Sequence, residues 1–114
     1  MVRLNKPVLE IICPVVGYVH HEAAKVIDDL APKQKVTLVR DPNNPYDPNA
    51  IEVWWQRGPR ERKRMLGFVP AYDDTNVPLA KLMDTGKEPK ARIVVVDPML
   101  RAKNHRILIQ VTVQ

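Results

Sequence analysis

Proline occurs eleven times in 114 residues, and this constrains the fold more than any other feature of the sequence. Each proline fixes φ and removes a backbone donor. It therefore interrupts helices and is tolerated in a sheet only at an edge, a strand end or a bulge. The chain is directed toward short strands with irregular connections and away from long helices. Apolar residues make up 45% of it, enough for one modest core. The length fits a single domain spanning residues 1–114.

Hydrophobic periodicity places the elements. Val8–Val16 alternates as a strand, with Glu10 toward water and Leu9, Ile11, Cys13 and Val15 on the buried face. Ala23, Val26, Ile27 and Leu30 recur at helical spacing, and Pro32 stops that short helix. Lys35–Arg40 returns to a strand, with Val36 and Leu38 on one face. Asp41–Asn49 is dense in turn-forming Asp, Asn and Pro. Ala50–Gln56 and Arg64–Val69 form a hairpin with a long basic tip over Arg57–Lys63. Trp54 and Trp55 point to opposite faces of their strand, so at least one is buried. Asn76 or Thr75 caps a second helix with Pro78 in its first turn, Leu79, Leu82 and Met83 as its buried stripe and Gly86 at its end. Lys90–Asp97 and His105–Val113 complete six strands. Half-buried strands in so short a chain must curl together, so the fold class is mainly β: a six-stranded, partly open barrel with two short helices.

Eighteen Lys and Arg against thirteen acids give a formal +5, which suits a polyanionic partner without proving one. Cys13 is the only cysteine, which excludes an intrachain disulfide and a thiolate metal cluster and fits a core position. Met1–Pro7 carries Arg3 and Lys6, and Glu10 and Pro14 break the apolar run after it. That pattern is neither a signal peptide nor a membrane span, so the expected location is cytoplasmic, with no membrane partner. The sequence holds no Gly-rich phosphate loop, no Gly-x-Ser-x-Gly elbow and no His-Glu-x-x-His, and a non-enzymatic module is expected. No cofactor is implied. His20 and His21 are poorly spaced for shared metal ligation, and the Asp41, Asn43 and Asp47 oxygens lack the turn glycine and closing Glu of a calcium loop.

The stretch Arg40-Asp41-Pro42-Asn43-Asn44-Pro45-Tyr46-Asp47-Pro48-Asn49-Ala50, followed by Ile51 and Val53, resembles the signature of the HIRAN domain. Three further features agree in order: Val16-Gly17, Leu66-Gly67-Phe68-Val69-Pro70, and Leu79-Ala80 with Leu82-Met83-Asp84-Thr85-Gly86. The resemblance spans about residues 8–97. It implies a barrel of mixed SH3-like and OB-like character that grips the 3′ end of single-stranded DNA in repair or replication, with a helicase or nuclease as the associated partner. In the family's binding mode the Tyr stacks on a terminal base and the following Asp accepts a hydrogen bond from the 3′-hydroxyl, roles that fall on Tyr46 and Asp47. Arg40, Asn44 and Phe68, within the same motifs, join the implied DNA-binding set.

Elementary chemistry supports those two roles. Tyr46 sits in a proline-stiffened loop, so its ring loses little entropy when a base stacks on it, a contact of roughly 1–3 kcal/mol. A carboxylate repels phosphate, so Asp47 suits a strand only where it ends in a hydroxyl donor. The chain also departs from the family pattern. Members that bind ends carry a basic residue and then an aromatic after the glycine; here Gly17 is followed by Tyr18, Val19, His20 and His21. His20 can replace the aromatic, and Val19 cannot replace the base. Ala71 stands where many relatives are basic. The expected substitute grip is the hairpin tip, Arg57, Arg60, Arg62, Lys63 and Arg64, with Glu61 its only acid; Arg101, Lys103 and Arg106 form a sparser cluster. Two alternatives stand beside this reading: the tip as a merely solvated face, and a protein-interaction module with an apolar patch near a Trp. Single-stranded RNA is a third ligand to test.

Overall fold

The computed structural model describes residues 6–114, so the Met1–Asn5 segment, with Arg3, lies outside it. Six strands form: β1 (Leu9–Pro14), β2 (Lys35–Arg40), β3 (Ile51–Trp55), β4 (Arg64–Phe68), β5 (Lys90–Val96) and β6 (Ile107–Val113). The helices are α1 (Ala23–Val26) and α2 (Asn76–Asp84). The strand order is β1-β6-β5-β2-β3-β4, and every neighbouring pair is antiparallel. Just beyond β1, Val16 bridges Phe68 of β4 with N–H···O contacts of 2.9 Å in both directions. The two ends of the sheet therefore meet, and the curl is a partly open barrel.

Gly67 makes that closure sterically feasible. The β3–β4 register slips between Val53, opposite Gly67, and Trp54, opposite Met65, so β4 bulges there. Gly67 has φ 154°, and a Cβ on it would lie 2.2 Å from the Val16 carbonyl oxygen. Only a residue without a side chain lets the Val16 segment cross at this distance.

The core follows the alternation expected of half-buried strands. Ile107, Ile109, Val111 and Val113 of β6 are all buried, as are Val36 and Leu38 of β2. Cys13 and Val15 are buried, whereas Leu9 and Ile11 are half-buried near the start of β1. Burial pushes the Cys13 thiol up to about 11, which leaves it protonated and inert at neutral pH. Trp55 points inward and its indole N–H donates to Gln34 at 3.2 Å; Trp54 is half-buried on the other face, bonded to Glu52 at 2.9 Å.

Two local expectations are corrected. The run from Ala23 to Leu30 forms one α-turn followed by a 3-10 turn over Ile27–Asp29, although all four apolar residues are buried as expected. Asp28 and Asp29 oppose the helix dipole at its carboxyl end, and a helix this short is held by burial instead of propensity. At α2 neither Thr75 nor Asn76 caps. The Thr75 hydroxyl donates to the Tyr72 carbonyl at 3.0 Å, and Asn76 is the first helical residue, only 2% exposed, with its carboxamide turned toward another loop. The fully buried apolar residues of α2 are Leu79 and Ala80, with Leu82 and Met83 only half-buried.

Candidate nucleic-acid interface

The segment between β2 and β3 is held from three directions. Within it, Asn44 Oδ1 accepts from the Tyr46 and Asp47 backbone amides at 2.9 and 3.1 Å, and Asn44 Nδ2 donates to Asp41 Oδ2 at 3.0 Å. From β2, the Arg40 guanidinium donates to the carbonyls of Ala50 (2.7 Å) and Pro48 (2.9 Å), and it pairs with Asp84 of α2 at 2.9 Å. From α2, the Asn76 amide donates to Asp47 Oδ2 at 2.8 Å and to the Asn49 carbonyl at 3.0 Å. Asp47 Oδ1 accepts from the Asn49 amide at 2.8 Å. The loop is thus tied by Asn44 and Asp47 side chains, whereas Asn49 enters through its backbone. Arg40 and Asn44, implied as DNA contacts, are occupied in building the loop, and the Arg40 side chain is 14% exposed. Tyr46 is the opposite case, at 94% exposed.

A second wall rises at the same end of the sheet. The loop leads into Ile51 at the start of β3; Phe68 ends β4 opposite Glu52, and Val16 lies across Phe68. Gly17 then turns with φ 80°, and a Cβ on it would come within 3.2 Å of the His21 ring. His21 meets Phe68 edge to face, with centroids 5.3 Å apart. The expected stacker, His20, is exposed one residue earlier, in the 3-10 turn Tyr18–His20. Burial holds the His21 imidazole below the usual histidine range, and the neighbouring His20 acts in the same direction, against Glu52. Tyr18 is buried beneath the Arg106 guanidinium, 5.3 Å from its ring centroid.

Compared with known families, the chain matches the HIRAN domain over residues 8–114, the whole of the six-stranded unit. The chain belongs to the HIRAN family. The match runs beyond the motifs at 8–97 to include β6. Among solved structures, a protein from Lactobacillus plantarum is similar at 24% identity and TM-score 0.68, over 93% of this chain and 98% of that one. The HIRAN domain of human HLTF is similar at 24% identity and TM-score 0.63, over 91% of this chain and 74% of that one. Both share the fold. No curated protein matches the sequence.

The basic tip of this HIRAN domain lies elsewhere. It joins the end of β3 to the start of β4, the opposite end of the hairpin from Ile51 and Phe68. Four steps of roughly 3.3 Å put it about 13 Å along the strand from the Tyr46 loop. Its charge is also partly matched: Arg57 pairs with Asp29, and Arg62 and Arg64 share Glu22 at 2.9 and 3.1 Å. The Arg62 hydrogen bond, ahead of Arg64, holds the Glu22 carboxyl below its ordinary value. Among the described residues, Arg60 and Lys63 are exposed and make no ion pair.

Sequence reasoning missed Asn76, His21 and Asn104. The first anchors Asp47, the second packs on Phe68, and the third accepts the Gly17 and Tyr18 amides at 3.0 and 3.2 Å. Ala71 is exposed, and the Val19 side chain lies outside the described residues. Among the described residues no three His, Cys, Asp or Glu side chains gather as metal ligands would, and no helix is long and apolar enough to cross a membrane.

Proposed function

We propose that this HIRAN domain binds single-stranded DNA and reads its 3′ end, as a non-catalytic component of DNA repair or replication. The observation that carries the reading is a 94% exposed Tyr46 beside a carboxylate, Asp47, whose two oxygens are each fixed by a 2.8 Å bond from within the protein. The ring is free to stack on a base. Each Asp47 oxygen accepts one internal hydrogen bond and keeps a further acceptor site, so the carboxylate is oriented without being saturated. A terminal hydroxyl donates to it, and a terminal phosphate is repelled. His20 supplies a second exposed ring, and Phe68, half-buried and packed edge to face against His21, is a further aromatic at the same end of the sheet. A helicase or nuclease that generates or consumes such ends is the partner class that fits.

The alternative of an interaction patch around a tryptophan is less well supported, because Trp55 is buried and Trp54 is half-buried and bonded to Glu52. Fluorescence anisotropy with Tyr46→Ala and Asp47→Ala tests the proposal. Tyr46→Ala weakens every strand by roughly the 1–3 kcal/mol of one stacked base. Asp47→Ala abolishes the preference for a 3′-hydroxyl over a 3′-phosphate. Parent-like titrations for both variants reject the reading.

A further inference from the structure

We propose that the loop between β5 and β6 is the phosphate track of this site, holding the strand on the 5′ side of its terminal nucleotide through Arg101 and Lys103. The inference rests on the end-reading proposal for the direction in which the strand runs. Of the clustered bases, Arg40, Arg57, Arg62 and Arg64 are engaged by acids. Arg106 donates to the Leu100 carbonyl at 2.7 Å and covers Tyr18. Arg101 and Lys103 are exposed and, among the described residues, make no ion pair or side-chain hydrogen bond. Asp97, the one acid of residues 97–106, accepts the Met99 amide at 3.1 Å.

Attachment to the His20 turn favours this loop over the hairpin tip. Asn104 fastens the loop to Gly17 and Tyr18, and so to the turn that carries His20. From β3, where the Tyr46 loop ends, the path crosses β4 at Phe68 and the Val16 segment, two strand spacings or about 10 Å. The loop is also stiff: the Leu100 and His105 amides donate to the Asp97 and Ala102 carbonyls at 3.3 and 2.8 Å, and the Asp97 amide donates to the Arg106 carbonyl at 2.8 Å. Two cations on a braced loop, at the rim where an end-bound strand must leave, take over the contacts that Val19 and Ala71 do not provide.

The test is a titration of parent and the double variant Arg101→Ala/Lys103→Ala against 3′-hydroxyl strands of about three and about ten nucleotides, bracketing the lower part of the usual OB-fold site range. Each is run at several salt concentrations. The parent binds the longer strand more tightly, and the double variant loses that gain. Its salt slope on the longer strand becomes shallower by about 1.4, two phosphates at about 0.7 each. Its preference for a 3′-hydroxyl over a 3′-phosphate is unchanged. A double variant with the parent's length gain and slope overturns the inference while leaving end reading intact. Loss of the gain in Arg60→Ala/Lys63→Ala instead assigns the track to the hairpin tip and also overturns it. A parent indifferent to the terminal group refutes end reading alone, because the length and salt terms still report on the loop. A parent that binds neither strand refutes both.

Discussion

Asn76 carries more of the site than its position suggests. Its buried amide serves both Asp47 and the Asn49 carbonyl, 29 and 27 residues away in sequence. Asn76→Ala leaves those acceptors without a donor, which costs about 1–3 kcal/mol. The expected result is a lower urea midpoint at unchanged m-value, together with weaker discrimination against a 3′-phosphate as Asp47 loses its anchor. The run that holds Asn44, Tyr46 and Asp47 was legible in the sequence because it carries a family signature, although the loop-building role of Asn44 was not. Asn76 was not, because an Asn at a helix start is ordinarily a cap, and here a distant carboxylate takes its amide. His21 gives a residue-scale pH effect. Its folded value lies below the ordinary 6.5, so the unfolded chain binds more protons in the interval between the two values. Stability is therefore complete above 6.5 and declines as pH falls through that interval. Thermal melts in that range should show the decline, and His21→Phe should reduce it.

The β4 strand is the element on which closure depends. Gly67→Ala sets a methyl against the Val16 carbonyl at 2.2 Å and at a φ that L-residues rarely adopt. A strained position of this kind costs about 1–3 kcal/mol. For a domain of this size that is a fall of roughly 5–15 °C in Tm, with faster amide exchange at Val16 and Phe68. The strands themselves were legible because burial on one face imposes a period of two, most clearly in β6. The partners of the β3–β4 tip were not, since Arg57 meets Asp29 and Arg62 meets Glu22 across 28 and 40 residues. Glu22→Gln removes the shared acid from Arg62 and Arg64. Because the Glu22 value is depressed, its contribution is present above 4.5 and lost as pH falls below that. An exposed pair is worth about 0–1 kcal/mol, so chemical denaturation at neutral pH should show only a small loss and none at strongly acidic pH.

At the scale of the whole molecule, prolines and alternation set the class of fold, and curling determines which loops share an end. Val16 meets Phe68 across the seam, and Asn104 reaches Gly17 over 87 residues. No local pattern announces either contact, so the sequence shows the basic tip plainly but not that it lies at the opposite end of the hairpin from the Tyr46 loop, nor that the sparser β5–β6 loop is fastened to the Gly17 turn. The most direct test of the account is the affinity of the parent domain for one short single strand ending in a 3′-hydroxyl or in a 3′-phosphate, at fixed salt. A hydrogen bond to a charged acceptor is worth about 1.5–3 kcal/mol, so the hydroxyl strand should bind at least about tenfold more tightly. Equal affinity for the two strands would contradict the claim that Tyr46 and Asp47 read an end.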